Sequence, residues 1–483
     1  MTFHMFCDDP NQWLSTEEIL LFETLTKCQM KKRKVLIIGA AGRDFHNFNV
    51  CFRDNPNYDV VAFTAAQIPD IAGRNYPASL AGDDYPNGIP ILPQESLSAL
   101  IAEYEIKECF FSYSDISYSY VMKLSAIVQA AGATFTLLGP SDTMIKSKKP
   151  VIAVCAVRTG CGKSPTSRKV LQLLQQKGLK AVVIRHPMPY GNLEDQRVQR
   201  FAKMQDFEDQ ACTVEEMEEY EPYVANGNVI YAGADYGDIL QAAEHDILGC
   251  DVILWDGGNN DWSFYQPDLQ ITIVDPHRPG DEMAFYPGEV NLRRADVVII
   301  NKVDSAPKKG IEEVRKNVRN LAPNAKIIEA ALSIETTNPD VIKGKRVLVI
   351  EDGPTLTHGG MKLGAGTIAA KRNGAIEMVD PRPFLVGKLK DTFEKYPEIG
   401  NLLPAMGYGK QQLEDLEETI RRTNCEGVVI GTPIDLCRLI EIDQPNTRIH
   451  YNFEERGEPQ FEEIIDSFIH TNHLTSKQWE TSN

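Results

Sequence analysis

The stretch VIAVCAVRTGCGKSPTSRKVLQLL, residues 151–174, leaves little choice of fold. An unbroken apolar run reads as a strand buried on both faces. A glycine-bearing turn and a helical pattern follow it. Strand, tight turn and helix in that order is the repeating unit of a parallel α/β sheet. The turn, Arg158-Thr159-Gly160-Cys161-Gly162-Lys163-Ser164, ends in the GKS of a phosphate-binding loop. Backbone N–H groups of such a turn, with the helix N-terminus, cradle phosphate. Lys163 would reach the β- and γ-phosphates, and Ser164 would ligate Mg2+. The usual spacing wants glycine at 157, where this chain has Val157. Arg158 stands where one deviant class of these loops carries a second lysine, and its charge would serve the transferring phosphoryl group.

The rest of the chain repeats the alternation. KKRKVLIIGAAGRDFHNFNVCF and the strands after it predict a Rossmann-like α/β unit. GPSDTMIKSKKP reads as a linker. Strands are expected at KAVVIR, NVIYAG, DVILWDGG, QITIVD, DVVIINK, AKIIEAAL, RVLVIEDG and GVVIGTP, then at TRIHYNFEE before a closing helix QFEEIIDSFIH. The acidic segment DFEDQACTVEEMEEYEPY reads as a solvated helical excursion. The division expected is an extension over 1–29, a Rossmann-like domain over 30–148, a P-loop nucleotide-hydrolase-type catalytic domain over 149–470, and a tail over 471–483.

Chemistry-bearing residues gather at strand ends. Asp256 closes VILWD, where loops of this kind hold the Mg2+ shell; it is expected to be catalytic and to bind metal with Ser164. Asn259, Asn260 and Asp261 would line the same mouth. Asn301-Lys302-Val303-Asp304 is an NKxD pattern, which taken alone favours guanine; contact with a nucleotide base is expected from Asn301, Lys302 and Asp304. Arg185 and His186 follow one strand, and His277 and Arg278 follow another. Ligands of open α/β sheets bind outside the carboxyl ends of strands, so these four are candidates for gripping a multiply phosphorylated substrate. A glycine-rich loop after Glu351 and Asp352 adds His358 and Lys362. The N-terminal turn GAAGRDFHNFN departs from the dinucleotide fingerprint. Its Arg43, Asp44, His46 and Asn47 suit a substrate or a domain contact better than NAD.

Composition removes several classes. A formal net charge of −18 argues against nucleic acid as a partner. No apolar run approaches the roughly 20 residues of a membrane span. Ten cysteines, none in a CxxC pair, favour a reducing cytoplasm and argue against structural zinc.

Taken together, VRTGCGKSPTSRKV, RHPMPYG, DGGNND, VDPHRPGDE, INKVDSA and EDGPTLTHGGM resemble the cyclic 2,3-diphosphoglycerate synthetases and their bacterial homologues over about residues 31–470. The resemblance implies a Mg2+-dependent ligase that uses ATP to close an intramolecular phosphoanhydride, and it implies a homodimer. GTP remains an alternative nucleotide because of the NKxD pattern. Two other readings fit parts of the sequence. One is a GTPase of metal-centre assembly, which usually carries paired Cys or His ligands. The other is a nucleotide-gated regulator, which leaves the strand-end arginines without a purpose.

Overall fold

The computed structural model describes residues 32–40, 42–65, 71, 73–186, 191–353, 356, 364–405 and 410–474. The expectations for the 1–29 extension, for His358 and Lys362, and for most of the tail fall outside these residues. The chain is a mixed α/β protein built on parallel sheets.

In the N-terminal domain the strands are β1 (Arg33–Ile38), β2 (Tyr58–Ala65), β3 (Asn75–Tyr76), β4 (Ile89–Pro93), β5 (Glu108–Phe111), β6 (Ile116–Ser117) and β7 (Thr134–Leu137). Six of them form a sheet of order β3-β4-β2-β1-β5-β7, parallel except at β3. Val35, Ile37, Phe63 and Phe110 face one core, and Leu36, Ile38, Cys109 and Phe111 face the other. This two-sided burial is why its central strands read as unbroken apolar runs.

The second sheet begins with β8 (Val151–Ala156), β9 (Ala181–Arg185), β10 (Gln199–Phe201), β11 (Val229–Ala232), β12 (Val252–Asp256) and β13 (Leu269–Val274). Then follow β15 (Val297–Ile300), β16 (Lys326–Thr336), β17 (Arg346–Asp352), β18 (Glu377–Met378), β19 (Leu402–Ala405), β20 (Gly427–Ile430) and β21 (Asn446–Arg456), while the short β14 (Phe285–Tyr286) stands outside this sheet and pairs with β6. Among the described residues it has 13 strands, running β10-β11-β9-β12-β8-β13-β15-β16-β21-β20-β17-β18, with β19 also beside β17. The long antiparallel pair β16–β21 splices its two halves. Beyond the splice a separate core packs Leu348, Ile350, Leu403 and Val428. The stretch 149–470 therefore holds three cores along one sheet, one on each face of its first half and one beyond the splice.

Two local expectations change. The supposed linker is packed: Thr143 is buried, its carbonyl meets His46 Nε2 at 2.6 Å, and its hydroxyl accepts from Trp262 Nε1 at 3.2 Å. The acidic segment is no solvated excursion. Its helix Val214–Val224 starts in a Thr213–Glu216 capping box and sets Tyr220, Tyr223 and Val224 into the main core. That apolar stripe outweighs the carboxylates, so Glu216 and Glu218 are carried inside, where Gln196 and Thr432 bond them.

The phosphate-loop strand packs closely on its surroundings where glycine is lacking. Gly288 lies against Val157, and a Cβ there would stand 2.2 Å from the Val157 carbonyl oxygen. Gly288 thus lets the start of its helix lie directly on the backbone at 157. Gly288→Ala must push that strand end aside. It is expected to destabilise the protein by about 1–3 kcal/mol and to weaken nucleotide binding, measured by thermal unfolding and by titration with a fluorescent ATP analogue.

Candidate functional site: a phosphate loop held by its own carbonyls

The loop between β8 and the helix Lys163–Gln176 turns through Gly160 (φ 78°) and Gly162 (φ 106°), both left-handed. A side chain at 162 would be strained there and would also strike Asn301 Nδ2, 2.1 Å from its Cβ position. Three successive loop carbonyls are taken from outside. Thr159 O accepts from Arg278 Nη2 at 2.8 Å, Gly160 O from Lys302 Nζ at 2.6 Å, and Cys161 O from Asn301 Nδ2 at 2.8 Å. In a planar trans peptide the N–H points opposite to the carbonyl. Anchoring these oxygens therefore turns the amides of 160–162 to the other side, as a phosphate cradle requires.

Asp275 organises this grip. Its Oδ2 accepts from Lys302 at 2.8 Å and from Arg278 at 3.0 Å. Burial pushes its carboxyl up, but the two cations outweigh that and hold it below the usual range. Arg278, expected to grip substrate, instead braces the loop. Asn301 and Lys302, expected at a nucleotide base, do the same, because the end of β15 lies beside the turn. Asp304 alone of the NKxD pattern is exposed, 3.6 Å from Arg372. His277 lies at the same edge with its Nε2 2.9 Å from Ser305 Oγ.

Lys163 is buried at the head of its helix and donates to Asn259 O at 2.5 Å. Burial and then Arg185 lower its pKa. Asp256 ends β12, next to β8, and is fully buried. Its Oδ1 accepts from Ser167 at 2.8 Å, and its Oδ2 from Tyr223 at 2.6 Å and Arg185 at 3.1 Å. Both oxygens carry hydrogen bonds within the fold, and the partner on the helix is Ser167. Among the described residues no group of three or more His, Cys, Asp or Glu side chains could hold a metal ion.

The other strand-end cations are also matched internally. Arg185 bonds Glu219 at 2.7 Å as well as Asp256, and donates to the carbonyls of Asp256 and Gly257. Burial works against its charge, but Glu219 and Asp256 raise its pKa. His186 Nε2 lies 2.7 Å from Asp261 Oδ2. Arg158 is held between Asp115 at 2.6 Å and Asp281 at 2.5 Å, its guanidinium 3.5 Å above the Phe285 ring. Each of these cationic or imidazole side chains thus meets a carboxylate distant in sequence.

The N-terminal domain reaches the loop directly. Asp115 accepts from Thr159 N at 2.9 Å as well as from Arg158, and Asn260 bridges Asp115 N and Val157 O. Arg43 Nε donates to Asp261 Oδ1 at 2.6 Å, and its guanidinium lies 3.7 Å over Trp262. Strand β6 pairs with β14 across the same boundary. Sequence reasoning placed Asp261 at the mouth and gave Arg43 a substrate or domain-contact role. It missed Glu219, Tyr223, Ser167 and Asp115, and only the Met217, Tyr220, Tyr223 spacing signalled that the acidic helix turns inward.

The model of the CobW/HypB/UreG nucleotide-binding domain matches residues 253–329, from β12 to the start of β16. An arginine synthetase of Thermococcus kodakarensis, ArcE, is 57% identical over 440 residues, which is 91% of this chain and 98% of that protein. This chain belongs to the arginine synthetase ArcE family. Solved structures resemble it only loosely. An LpxK from Aquifex aeolicus with bound ATP is 12% identical and covers 78% of this chain and 99% of its own, at a TM-score of 0.41. A Neisseria UDP-N-acetylmuramate:tripeptide ligase is 10% identical, covers 63% and 81%, and scores 0.26. Neither likeness carries an argument. The resemblance to cyclic 2,3-diphosphoglycerate synthetases and the ArcE relationship agree on a nucleotide-binding P-loop synthetase and part over the reaction.

Two outcomes follow from the site's electrostatics. Arg185→Ala leaves Asp256 buried without its cation and is expected to destabilise the fold by about 3–5 kcal/mol, read by urea unfolding. Asp44, buried in the domain boundary, is pushed up to about 6 by desolvation against the opposing Gly42 and Phe45 amides. The native state then keeps a proton that the unfolded chain, near the ordinary 3.8, has released. This group's contribution to stability therefore falls as pH rises from about 4 to about 6. Asp44→Asn is expected to gain on the wild type across that window by an amount on the order of 3 kcal/mol, measured by denaturation at stepped pH.

Proposed function

We propose that the protein is an ATP-dependent ligase that forms arginine. The observation that carries this is the 57% identity to arginine synthetase ArcE across 98% of that protein. The charge pattern supports it: Arg185, His186, Arg278 and Arg158 each face an internal carboxylate, which suits a polyphosphorylated acceptor poorly. Asp256 and Glu219 stand near Lys163 beside Arg185, and Glu219 also feels Asp256 and Asp352. A guanidinium product is cationic and suits such surroundings.

The chemistry matches a phosphate loop. Arginine differs from its ureido counterpart, citrulline, by nitrogen in place of oxygen, and that oxygen is a poor leaving group. The ureido oxygen attacks the γ-phosphorus of ATP, forming an O–P bond as the bond to ADP breaks. Ammonia then adds its lone pair to the ureido carbon, the C–O bond breaks, and phosphate leaves with its electron pair. The nitrogen gives up its surplus proton. Lys163 and the amides of the cradle would align and neutralise the transferring group. Mg2+, held by Ser164 and the nucleotide's own phosphates, would screen charge on the transferring phosphoryl group.

The test is incubation of the full chain with ATP, Mg2+, citrulline and 15N-ammonium, followed by mass spectrometry and phosphorus NMR. Expected are 15N-arginine, ADP and phosphate. AMP with pyrophosphate would replace phosphoryl transfer by adenylyl transfer. A cyclic anhydride signal with 2,3-diphosphoglycerate, and no arginine, would overturn the proposal in favour of the other ligase. Substituting GTP reads the nucleotide preference.

A further inference from the structure

The carboxyl edge of the N-terminal sheet carries polar groups that its own fold does not use. Strands β1, β2 and β5 end there side by side. Gly39 N donates to Thr64 O at 3.1 Å, and Ser112 N to Ile38 O at 2.9 Å. Arg43 and Asn47 lie on the short helix that follows β1, both buried. Arg43, 3% exposed, uses Nε on Asp261, while its Nη2 has no partner. Asn47, 2% exposed, donates from Nδ2 to Ser112 Oγ at 2.9 Å, while its Oδ1 accepts nothing. Thr64, fully buried, has an unpaired hydroxyl. Buried polar atoms without partners are costly and few in natural folds. These three belong to β2 and to the helix after β1, the elements that meet at the edge where open α/β sheets take ligands.

Their chemistry selects the ligand. Arg43 Nη2 is a charged donor, Asn47 Oδ1 is an acceptor, and the Thr64 hydroxyl serves either way. The charge of Arg43 is already answered by Asp261, and the Asp44 carboxyl lies close by. A polyanion would add uncompensated buried charge, whereas a zwitterion adds none. The head group of an α-amino acid offers a carboxylate to Arg43 and an ammonium to Asn47.

The edge also borders the nucleotide site. A Cβ on Gly42 would lie 3.7 Å from His186 Cε1, and one on Gly258 would lie 2.5 Å from His186 Cγ. Gly258 adjoins Asn259, whose carbonyl accepts from Lys163. One imidazole, fixed by the same Asp261 that holds Arg43, thus stands between the edge and the phosphate loop.

We propose that this edge, through Arg43, Asn47 and Thr64, binds the α-amino-acid substrate and that the N-terminal domain presents it to the phosphoryl donor. This rests on the arginine-forming reading. Trp262 and Asp261 cover Arg43 on the side of the domain boundary.

The test is calorimetric titration of the full chain with citrulline, in the presence of an ATP analogue that cannot transfer its phosphoryl group. Thr64→Val is isosteric and removes only an unpaired hydroxyl, so its unfolding temperature should hold or rise. Citrulline affinity should fall at least about tenfold, while affinity for the ATP analogue stays the same. Arg43→Lys keeps a charge facing Asp261 but lacks Nη2, and should weaken citrulline in the same direction. If the wild type binds citrulline and both variants bind it within about twofold, the assignment is overturned. If the wild type neither binds nor converts any α-amino acid, the arginine-forming reading fails and this assignment falls with it.

Discussion

Asp275 is the residue on which the rest of the site depends. Fully enclosed at the end of β13, it holds Lys302 and Arg278 in place, and those two cations with Asn301 fix three consecutive carbonyls of the phosphate loop. A loop amide left to itself points wherever its φ and ψ allow; here the outward carbonyls leave the amides no other direction. The NKxD pattern in this chain is first a brace for the loop and only at Asp304 open to solvent.

The same economy governs the contact between domains. Arg43 with Asp261, and Arg158 with Asp115, place charges in regions where neither partner alone would be tolerated. Pairs of this depth add little net stability, because desolvation offsets their attraction. They do penalise misalignment, since a domain docked out of register strands a buried charge. Strands β6 and β14 add backbone hydrogen bonds to that register. The phosphate loop is therefore positioned by both domains at once.

Function follows from which charges remain. Strand-end arginines suggest a phosphate-rich acceptor until their partners are seen. Glu219 and Asp256 on Arg185, and Asp275 on Arg278, then answer those charges from within the fold. The chain belongs to the family of an arginine synthetase.

The amino-acid sequence by itself determined the parallel α/β architecture, the phosphate loop, and the strands that deliver Asp256, Arg185, Arg278 and Asn301 to one edge. These signals are local: an apolar run, a glycine, a polar residue where the run stops. Tertiary structure alone decided what those residues do there. Arg185 meets Asp256 71 residues on, and Arg43 meets Asp261 across 218. No periodicity records such a pairing. The helix Val214–Val224 shows the same limit, for its carboxylates advertise solvent while three apolar side chains decide its burial. A charged side chain announces its sign in sequence, but whether that sign is already answered depends on what the fold brings within about 3 Å of it.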